Sequence, residues 1–297
     1  MWFLVLGCCL LVSATEEPAG GKTEAIREGT MTTKPTMHTY FDRIPPEERF
    51  TGMEDEDDDK MIVYWKEAWE EAGWDTRILT VEDAKKHPQF AEFDTLLRSM
   101  KLDAFGNICY YKYLAMAAIG GGWMADYDVY PLRDFRSVKI NHNTDDMVIY
   151  DIVRASLASG SASGYLKLGN SLLQLGKDRI ELESPAQASV PVMINHMTDE
   201  MPMHTIVENR TQYNWVQSMT KVLSPPFIKS TIDPIDPAIC THRAMRKHHI
   251  ALHMSPRNVQ HLGVPPELRF PKYRVEAAKL FREDFVRVCN VTIFDVM

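Results

Sequence analysis

Hydrophobic and polar positions alternate along the first third of the chain in blocks that predict strands and helices in turn. Residues 37–41 (MHTYF) and 75–81 (DTRILTV) are short runs of apolar, aromatic and threonine residues, typical of strands. Between them, four apolar residues recur at helical spacing, namely Ile62, Trp65, Ala68 and Trp69. Gly73 follows where a helix C-cap is expected. This β-α-β order predicts an α/β fold with a mainly parallel sheet.

The segment 107–119 (NICYYKYLAMAAI) is apolar or aromatic at most positions and predicts a helix that is buried nearly all round. Three glycines, residues 120–122, end this helix, and residues 123–129 (WMADYDV) predict the start of a strand. The next strand is predicted at residues 147–153 (MVIYDIV). We therefore expect a buried helix to run directly into a central strand.

A stretch rich in serine and glycine, residues 156–164, is typical of a loop and leads into a predicted helix at residues 165–175 (YLKLGNSLLQL). Beyond Pro185 the pattern is less regular, with several proline turns. No internal repeat and no boundary of a second domain is evident. The sequence predicts a single domain over residues 37–297.

The N-terminal segment differs from this domain in composition. Residues 1–14 are mostly apolar and end in small residues, which predicts a signal peptide or a short anchor. Residues 15–36 have few large apolar side chains and predict a flexible stem. Two glycosylation tripeptides, Asn209-Arg210-Thr211 and Asn290-Val291-Thr292, fit a lumenal chain. We expect the secretory pathway, as a Golgi lumenal or secreted protein, with membrane contact only through a possible N-terminal anchor.

The charge balance narrows the classes of ligand. The chain has 297 residues, a formal net charge of -8 and an ordinary globular content of 45% hydrophobic residues. This acidic balance argues against nucleic-acid binding, because a surface that binds nucleic acid must carry positive charge to neutralise the phosphates. An anionic ligand would need a local basic site or a bound cation.

The cysteine pattern contains no C-x-x-C pair outside the leader. Cys8 and Cys9 would leave with a cleaved signal peptide. A disulfide between Cys240 and Cys289 is compatible with an oxidising lumen, and Cys109 would then remain as a buried thiol. Spacing alone does not decide the pairing.

Two aspartates one residue apart, Asp126 and Asp128, follow the glycines inside an otherwise apolar run. The same D-x-D pattern in the acidic run 55–59 is expected to be a solvated loop. In a strand, Asp126 and Asp128 would share one face with Met124 and Tyr130, roughly 7 Å or less apart. Such like charges require a positive partner, and Mn²⁺ or Mg²⁺ suits carboxylate oxygens. Ligands in open α/β sheets bind beyond the carboxyl ends of strands, where this pair would lie.

The glycines also match the G-x-G-x-x-A fingerprint of dinucleotide-binding proteins over residues 120–125. That motif follows a strand and opens a helix, so that the helix N-terminus holds the pyrophosphate. Here the predicted helix precedes the glycines and the predicted strand follows them. The reversed order excludes a nicotinamide-dependent dehydrogenase.

A second group of chemically active side chains lies in the C-terminal part of the sequence. It comprises Cys240, His242, His248, His249 and His253. On a helix, His249 and His253 would share a face at i and i+4 and could bind zinc, although no H-E-x-x-H motif accompanies them. A basic, partly exposed segment is the alternative. A narrower hypothesis is that His253 completes the cation site begun by Asp126 and Asp128.

Residues 121–131 (GGWMADYDVYP) and, more loosely, residues 65–90 (WKEAWEEAGWDTRILTVEDAKKHPQF) resemble a known family. The segments are similar to the DXD-containing glycosyltransferases of the α-1,6-mannosyltransferase and inositol-phosphoceramide mannosyltransferase group. Those proteins carry a helix, two glycines and a D-x-D tripeptide followed by an apolar or proline stretch. The specific part of the resemblance covers residues 105–132.

The resemblance implies a GT-A-type fold, a Rossmann-like α/β sheet that binds a nucleotide-sugar. It implies that Asp126 and Asp128 bind Mn²⁺ or Mg²⁺, which bridges the donor diphosphate and stabilises it as the leaving group. It also places Gly121, Gly122 and Trp123 beside the bound donor. The implied activity is sugar transfer to a glycan, lipid or protein acceptor, with retention of anomeric configuration.

One departure from the family lies on the helix before the glycines. Tyr110 and Tyr113 stand where the family has Ser/Ala-Asp and an arginine. Asp103, Asn107 or Lys112 could replace those polar contacts. The missing arginine motivates an alternative, a secreted carbohydrate-binding pseudo-glycosyltransferase without turnover. A less favoured alternative is a zinc hydrolase that uses the cluster from His242 to His253.

Overall fold

Strands and helices alternate along the chain in the computed structural model. The structure describes residues 34–48, 51–138, 140, 144–151, 155–183, 198–219, 221–223, 249–259 and 266–289. Lys34–Met297 forms one compact unit. The predicted signal or anchor at 1–14 and nearly all of the predicted stem at 15–36 lie outside the described residues and stay predictions. Within the described residues, no helix has the length and apolar character needed to cross a membrane.

The first half of the described chain contains eight α-helices and β-strands. They are β1 (Thr36–Tyr40), α1 (Asp55–Glu71), β2 (Asp75–Leu79), α2 (Val81–Ala84), α3 (Phe90–Ser99), α4 (Ala104–Ala118), β3 (Gly121–Ala125) and β4 (Val129–Pro131). The predicted β-α-β opening is confirmed in β1, α1 and β2. The predicted order of helix, glycines and strand is confirmed in α4 and β3.

The second half adds five strands and four α-helices within the described residues. They are β5 (Met147–Ile149), β6 (Leu157–Ser161), α5 (Ala162–Glu183), α6 (Glu200–Glu208), β7 (Val216–Ser218), β8 (Val222–Leu223), β9 (Ala251–His253), α7 (Pro256–Val259) and α8 (Arg274–Cys289). The strand predicted at 147–153 is shorter than expected, because β5 ends at Ile149.

Six of these strands form one sheet in the order β2-β1-β3-β6-β5-β7. Strands β1, β2 and β3 are parallel, and β5 is parallel to β7, whereas β6 runs antiparallel to both of its neighbours. The α/β class is confirmed, whereas the expected mainly parallel sheet is not confirmed, because β6 makes the sheet mixed. A second sheet has the order β4-β9-β8.

The antiparallel strand β6 arises from the Ser/Gly stretch that we expected to be a loop. A Cβ atom added at Gly121 in β3 would lie 2.5 Å from the carbonyl oxygen of Gly160 in β6. Only a residue without a side chain permits so close an approach of the two strands at this point. The small residues therefore serve close packing inside the sheet.

The acidic run after Gly52 also differs from expectation. Helix α1 begins at Asp55, so the acidic residues form its first turn instead of a solvated loop. The backbone N–H of Glu54 donates to Oδ2 of Asp57 at 3.2 Å. Negative side chains at a helix N-terminus interact favourably with the helix dipole, which explains why an acidic run begins this helix.

The sheet separates two hydrophobic cores, and β3 contributes alternate side chains to each. Trp123 packs among aromatic side chains of one core, which include Trp69, Trp74 and Phe135. Met124 packs in the other core with residues of α4 and α5. All residues of α4 from Tyr110 to Ala117 are buried, which confirms the predicted helix buried nearly all round.

Candidate functional site

Acidic side chains collect at one edge of the six-stranded sheet. Strands β3 and β5 are both antiparallel to β6 and therefore end at the same edge. Asp126 and Asp128 follow β3, and Asp151 follows β5. This edge is the one at which open α/β sheets bind ligands.

The two aspartates lie in a turn and not in a strand. Strand β3 ends at Ala125, the Asp126 backbone N–H donates to the carbonyl of Ser156 at 2.8 Å, and the Val129 N–H donates to the carbonyl of Asp126 at 2.9 Å. The chain then enters β4 of the second sheet. The expectation that strand alternation aligns Asp126 and Asp128 on one face is therefore wrong, because the chain leaves the first sheet at this point.

Lys112, on the buried helix α4, bridges Asp126 to Asp199 at the start of α6. Its Nζ lies 3.3 Å from Oδ1 of Asp126 and 3.1 Å from Oδ2 of Asp199. The hydroxyl of Tyr113 also donates to Asp199. Burial opposes the charge of Lys112, but the carboxylates of Asp126 and Asp199 outweigh it and raise its pKa well above the usual value. Lys112 is therefore a buried, charged cation.

Asp126 is the aspartate of the turn that reaches solvent, with 30% of its side chain exposed. Burial among protein atoms raises its pKa to about 6, the positive charge of Lys112 opposes that shift, and the nearby Asp128 and Asp199 add to it. At neutral pH Asp126 is an anion that is only partly compensated.

Asp128 is buried and has a different set of cationic partners. Its Oδ2 accepts a 2.9 Å hydrogen bond from Nη1 of Arg274, the first residue of α8. Its Oδ1 lies 3.5 Å from Nε2 of His253 on β9. The Met254 N–H donates to the backbone carbonyl of Asp128 at 2.8 Å and holds the turn against β9. The turn is thus fixed by side chains from the C-terminal part of the chain.

His253 lies between two carboxylates. Its Nδ1 is 3.6 Å from Oδ2 of Asp151, which also accepts a 3.0 Å hydrogen bond from the hydroxyl of Ser156. Burial opposes the charge of His253, but Asp128 and Asp151 raise its pKa to about 9. The structure therefore brings His253 to Asp128, as the cation-site hypothesis requires, and places its imidazole between the carboxylates of Asp128 and Asp151.

We use the name edge cluster for the seven side chains that meet here. They are Lys112, Asp126, Asp128, Asp151, Asp199, His253 and Arg274. Four carboxylates face two permanent cations and one histidine. Within the part of the chain that the structure describes, no set of three metal-ligating side chains is arranged to hold an ion. The carboxylate oxygens have the chemistry that Mn²⁺ and Mg²⁺ prefer, and Asp126 is the more exposed of the two turn aspartates.

Among the other predicted positions, Asp103 caps α4 and accepts a 2.7 Å hydrogen bond from the Gly106 N–H, so it does not join the cluster. The side-chain oxygen of Asn107 is buried without a hydrogen-bond partner among the described residues. Tyr110 and Tyr113 lie in the core. Of the three suggested replacements for the family's polar contacts, the structure brings only Lys112 to Asp126.

The glycines and Trp123 serve the interior of the fold. Trp123 is buried and stacks on Tyr150 with ring centroids 5.1 Å apart. Gly121 packs against β6, and Gly122 accepts a 3.2 Å hydrogen bond at its carbonyl from Tyr165. Their place beside a bound donor stays a prediction.

The zinc hypothesis loses part of its geometric basis. His253 belongs to strand β9, and His249 precedes that strand, so the two do not share a helical face. Cys240, His242 and His248 lie outside the described residues.

Cys289 is disulfide-bonded, and Cys109 has a free thiol whose pKa is raised by burial. The predicted Cys240–Cys289 pairing involves one residue outside the described part of the chain.

Three members of the edge cluster were missed by sequence reasoning: Asp151, Asp199 and Arg274. Asp151 belongs to a predicted strand, but nothing in the local pattern distinguishes it from a surface aspartate. Asp199 and Arg274 lie in the less regular second half and belong to no motif. Their role appears only through pairing with Lys112, His253 and Asp128.

The fold and the edge cluster define an α/β protein with a mixed sheet and a charged site at the carboxyl edge of its central strands. A family model described as a domain of unknown function (DUF8765) matches residues 29–142. This range contains β1 to β4 with Lys112, Asp126 and Asp128, and it is less than half of the chain. A comparison with curated proteins found no match.

Proposed function

We propose that this protein is a metal-dependent glycosyltransferase of GT-A type, which transfers a sugar from a nucleotide-sugar to a glycan, lipid or protein acceptor. The observation that carries the proposal is the position of the Asp126–Asp128 turn. It follows central strand β3 directly, at the edge where β1 and β5 also end. The turn also carries the residues on which the resemblance to DXD-containing glycosyltransferases rests.

The strand order supports a ligand crevice beside β3. The chain passes from β1 to its neighbour β2 on one side, then returns to β3 on the other side of β1. From β3 onward, the remaining strands of this sheet add on the far side. Open α/β sheets bind ligands where the strand order changes direction in this way. Asp126 follows β3 at this position.

The charges of the edge cluster explain how it could hold an anionic donor. A divalent ion on the carboxylates of Asp126 and Asp128 would supply Lewis-acid stabilisation of the leaving diphosphate. Lys112 holds Asp126 from the side of α4, while Arg274 and His253 hold Asp128. Buried ion pairs of this kind orient the carboxylates before any ligand binds, which lowers the cost of reorganisation.

The same ion pairs favour a second candidate function, donor or carbohydrate binding without turnover. Both oxygens of Asp128 face cationic side chains, and Lys112 already compensates part of the charge of Asp126. The protein's own cationic side chains therefore contact the same carboxylate oxygens that a catalytic ion would need. This arrangement is expected if the fold retains binding and has lost transfer.

A panel of nucleotide-sugars tests both candidates. We expect a donor to raise the melting temperature in the presence of Mn²⁺ but not with a chelator, because a ligand that binds only the folded state stabilises it. Donor hydrolysis or transfer should show the same dependence on the ion. Stabilisation without turnover across donors and acceptors would favour the binding module. If no donor stabilises the protein and none is turned over, the glycosyltransferase proposal is wrong.

Two matched variants connect the result to the site. Asp126→Asn removes the exposed carboxylate of the turn, whereas Asp59→Asn alters an exposed aspartate of the other D-x-D stretch, on α1. We expect Asp126→Asn to abolish the Mn²⁺-dependent stabilisation and Asp59→Asn to retain it. Equal responses of the two variants would show that the D-x-D turn is not the ion site.

A location in the secretory pathway belongs to the same proposal. It rests on the apolar residues 1–14 and on the two glycosylation tripeptides. Determining the N-terminus of the mature chain tests it, since cleavage after Ala14 would leave a chain that begins with TEEPAG.

A further inference from the structure

An exposed turn directly after α6 presents Asn209, Arg210 and Thr211. All three residues are exposed. The backbone closes the turn: the Asn209 N–H donates to the carbonyl of Thr205 at 3.1 Å, and the Asn209 carbonyl accepts hydrogen bonds from the N–H groups of Gln212 and Tyr213. The turn therefore does not depend on the Asn209 side chain for its shape.

The two side chains at the ends of the tripeptide contact each other. The hydroxyl of Thr211 donates to Oδ1 of Asn209 at 3.2 Å. A hydrogen bond to an amide oxygen draws electron density from the amide and makes its nitrogen easier to deprotonate. Among the described residues, the Nδ2 of Asn209 makes one surface contact, a 2.8 Å hydrogen bond to Oε1 of the exposed Gln212. Releasing Nδ2 for reaction therefore disturbs no buried group in the described part of the chain.

We infer that Asn209 is a site of N-linked glycosylation when the chain passes through a secretory lumen. The tripeptide has the acceptor pattern N-x-T, and the folded chain presents it with the threonine hydroxyl on the amide. The co-reactant is a lipid-pyrophosphate-linked oligosaccharide held by the host transferase. Nδ2 forms a bond to the anomeric carbon, the bond from that carbon to the pyrophosphate oxygen breaks, and one Nδ2 proton passes to a base of the transferase.

The position of the turn keeps a glycan away from the edge cluster. The turn precedes β7, which begins at Val216 and runs parallel to β5. It therefore lies at the edge of the sheet where β5 begins, opposite the edge where Asp151 follows that strand. A glycan on Asn209 can project into solvent without covering Asp126. Glycosylation here rests on the proposed secretory location and is independent of the proposed sugar transfer.

The test is secretion from eukaryotic cells, with the native N-terminus in one arm and an established signal peptide in place of residues 1–14 in the other. Treatment with a peptide-N-glycosidase should increase the gel mobility and convert Asn209 to aspartate, which mass spectrometry detects. Asn209→Gln and Thr211→Ala should each remove one glycan step. Thr211→Ser keeps the hydroxyl and should keep the glycan, because serine also satisfies the acceptor pattern.

The second tripeptide, at Asn290, separates the outcomes. If the secreted chain is glycosylated at Asn290 but unmodified at Asn209, the inference is wrong. It is equally wrong if the chain is secreted with the added signal and carries no glycan at either position. If Asn209 is modified only in the arm with the added signal, the site stands and the predicted N-terminal signal is wrong. Donor-induced stabilisation of Asn209→Gln reports on the proposed function separately, since this variant leaves the edge cluster unchanged.

Discussion

Arg274 donates a 2.9 Å hydrogen bond from Nη1 to Oδ2 of Asp128, so the first residue of α8 is joined to the turn after β3. The arginine side chain is 1% exposed and Asp128 is buried as well. The guanidinium also lies over the ring of Tyr127 at 5.8 Å and contacts the Met254 carbonyl at 3.4 Å. Both charged groups are shielded from water and contact each other and these neighbours instead. Removing one of them leaves the other buried without its charge partner.

We predict that Arg274→Met destabilises the protein by about 3–5 kcal/mol, because it removes the main cation beside a buried carboxylate. Arg287 is the matched control, since it lies on the same helix and makes an exposed pair with Asp284. Arg287→Met should cost less than about 1 kcal/mol. Equilibrium unfolding in denaturant measures both changes. Similar losses in the two variants would mean that the Arg274–Asp128 pair carries no special share of stability.

Lys112→Met should destabilise the protein by a comparable amount, about 3–5 kcal/mol, because it leaves two carboxylates near each other without their shared cation. Adding Asp199→Asn to Lys112→Met should recover part of this loss, since the double variant no longer has one of the two negative charges that Lys112 compensates. Unfolding of the single and double variants gives their coupling energy. Lys85, which makes a surface pair with Glu82, is a control whose loss should be small. Strictly additive single effects would contradict a Lys112–Asp199 interaction.

The glycines before the D-x-D turn offer a pair of matched substitutions. Gly120 and Gly121 both have positive φ angles, +102° and +81°, but only Gly121 has backbone atoms in the way of a Cβ. Gly120→Ala should cost about 1–2 kcal/mol from backbone strain alone. Gly121→Ala should cost a further 1–3 kcal/mol or so, because the added atom pushes β6 away from β3. Thermal unfolding compares the two, and equal losses would contradict the steric role of Gly121.

His38 on β1 predicts a dependence of stability on pH. Burial lowers its pKa below the usual value, and its Nδ1 donates a 2.9 Å hydrogen bond to the carbonyl of Trp123. Because the folded pKa lies below that of the unfolded chain, the contribution to stability is present above about pH 6.5 and is lost as the pH falls through the folded pKa.

The variant His38→Asn isolates this effect, since an amide can replace Nδ1 as donor without titrating. We expect the wild type to lose more unfolding free energy than His38→Asn between pH 7 and pH 5. Denaturant unfolding at several pH values measures the difference, in which the contributions of other titrating groups cancel. Parallel pH profiles of the two proteins would contradict the prediction.

Much of the fold could be predicted from local patterns. The strands β1 and β2, the helix α1 between them and the buried helix α4 follow from apolar periodicity, which reflects how one segment meets a core. Strand β6 could not be predicted in this way, because its Ser/Gly composition is also that of a loop. Its place in the sheet depends on the close approach of Gly121 to Gly160, which is a contact between distant segments.

The candidate site likewise contains some residues that the sequence indicates and others that only the folded structure reveals. The pattern of residues along the chain was sufficient to single out Asp126, Asp128 and His253 as candidate site residues, because unusual charges in apolar runs are visible locally. The partners of these residues, among them Asp199 and Arg274, were decided by how α6 and α8 pack against the end of β3. Ion pairs between side chains so far apart along the chain exist only after folding, because the sheet and helices must first bring the charges together and exclude water from around them.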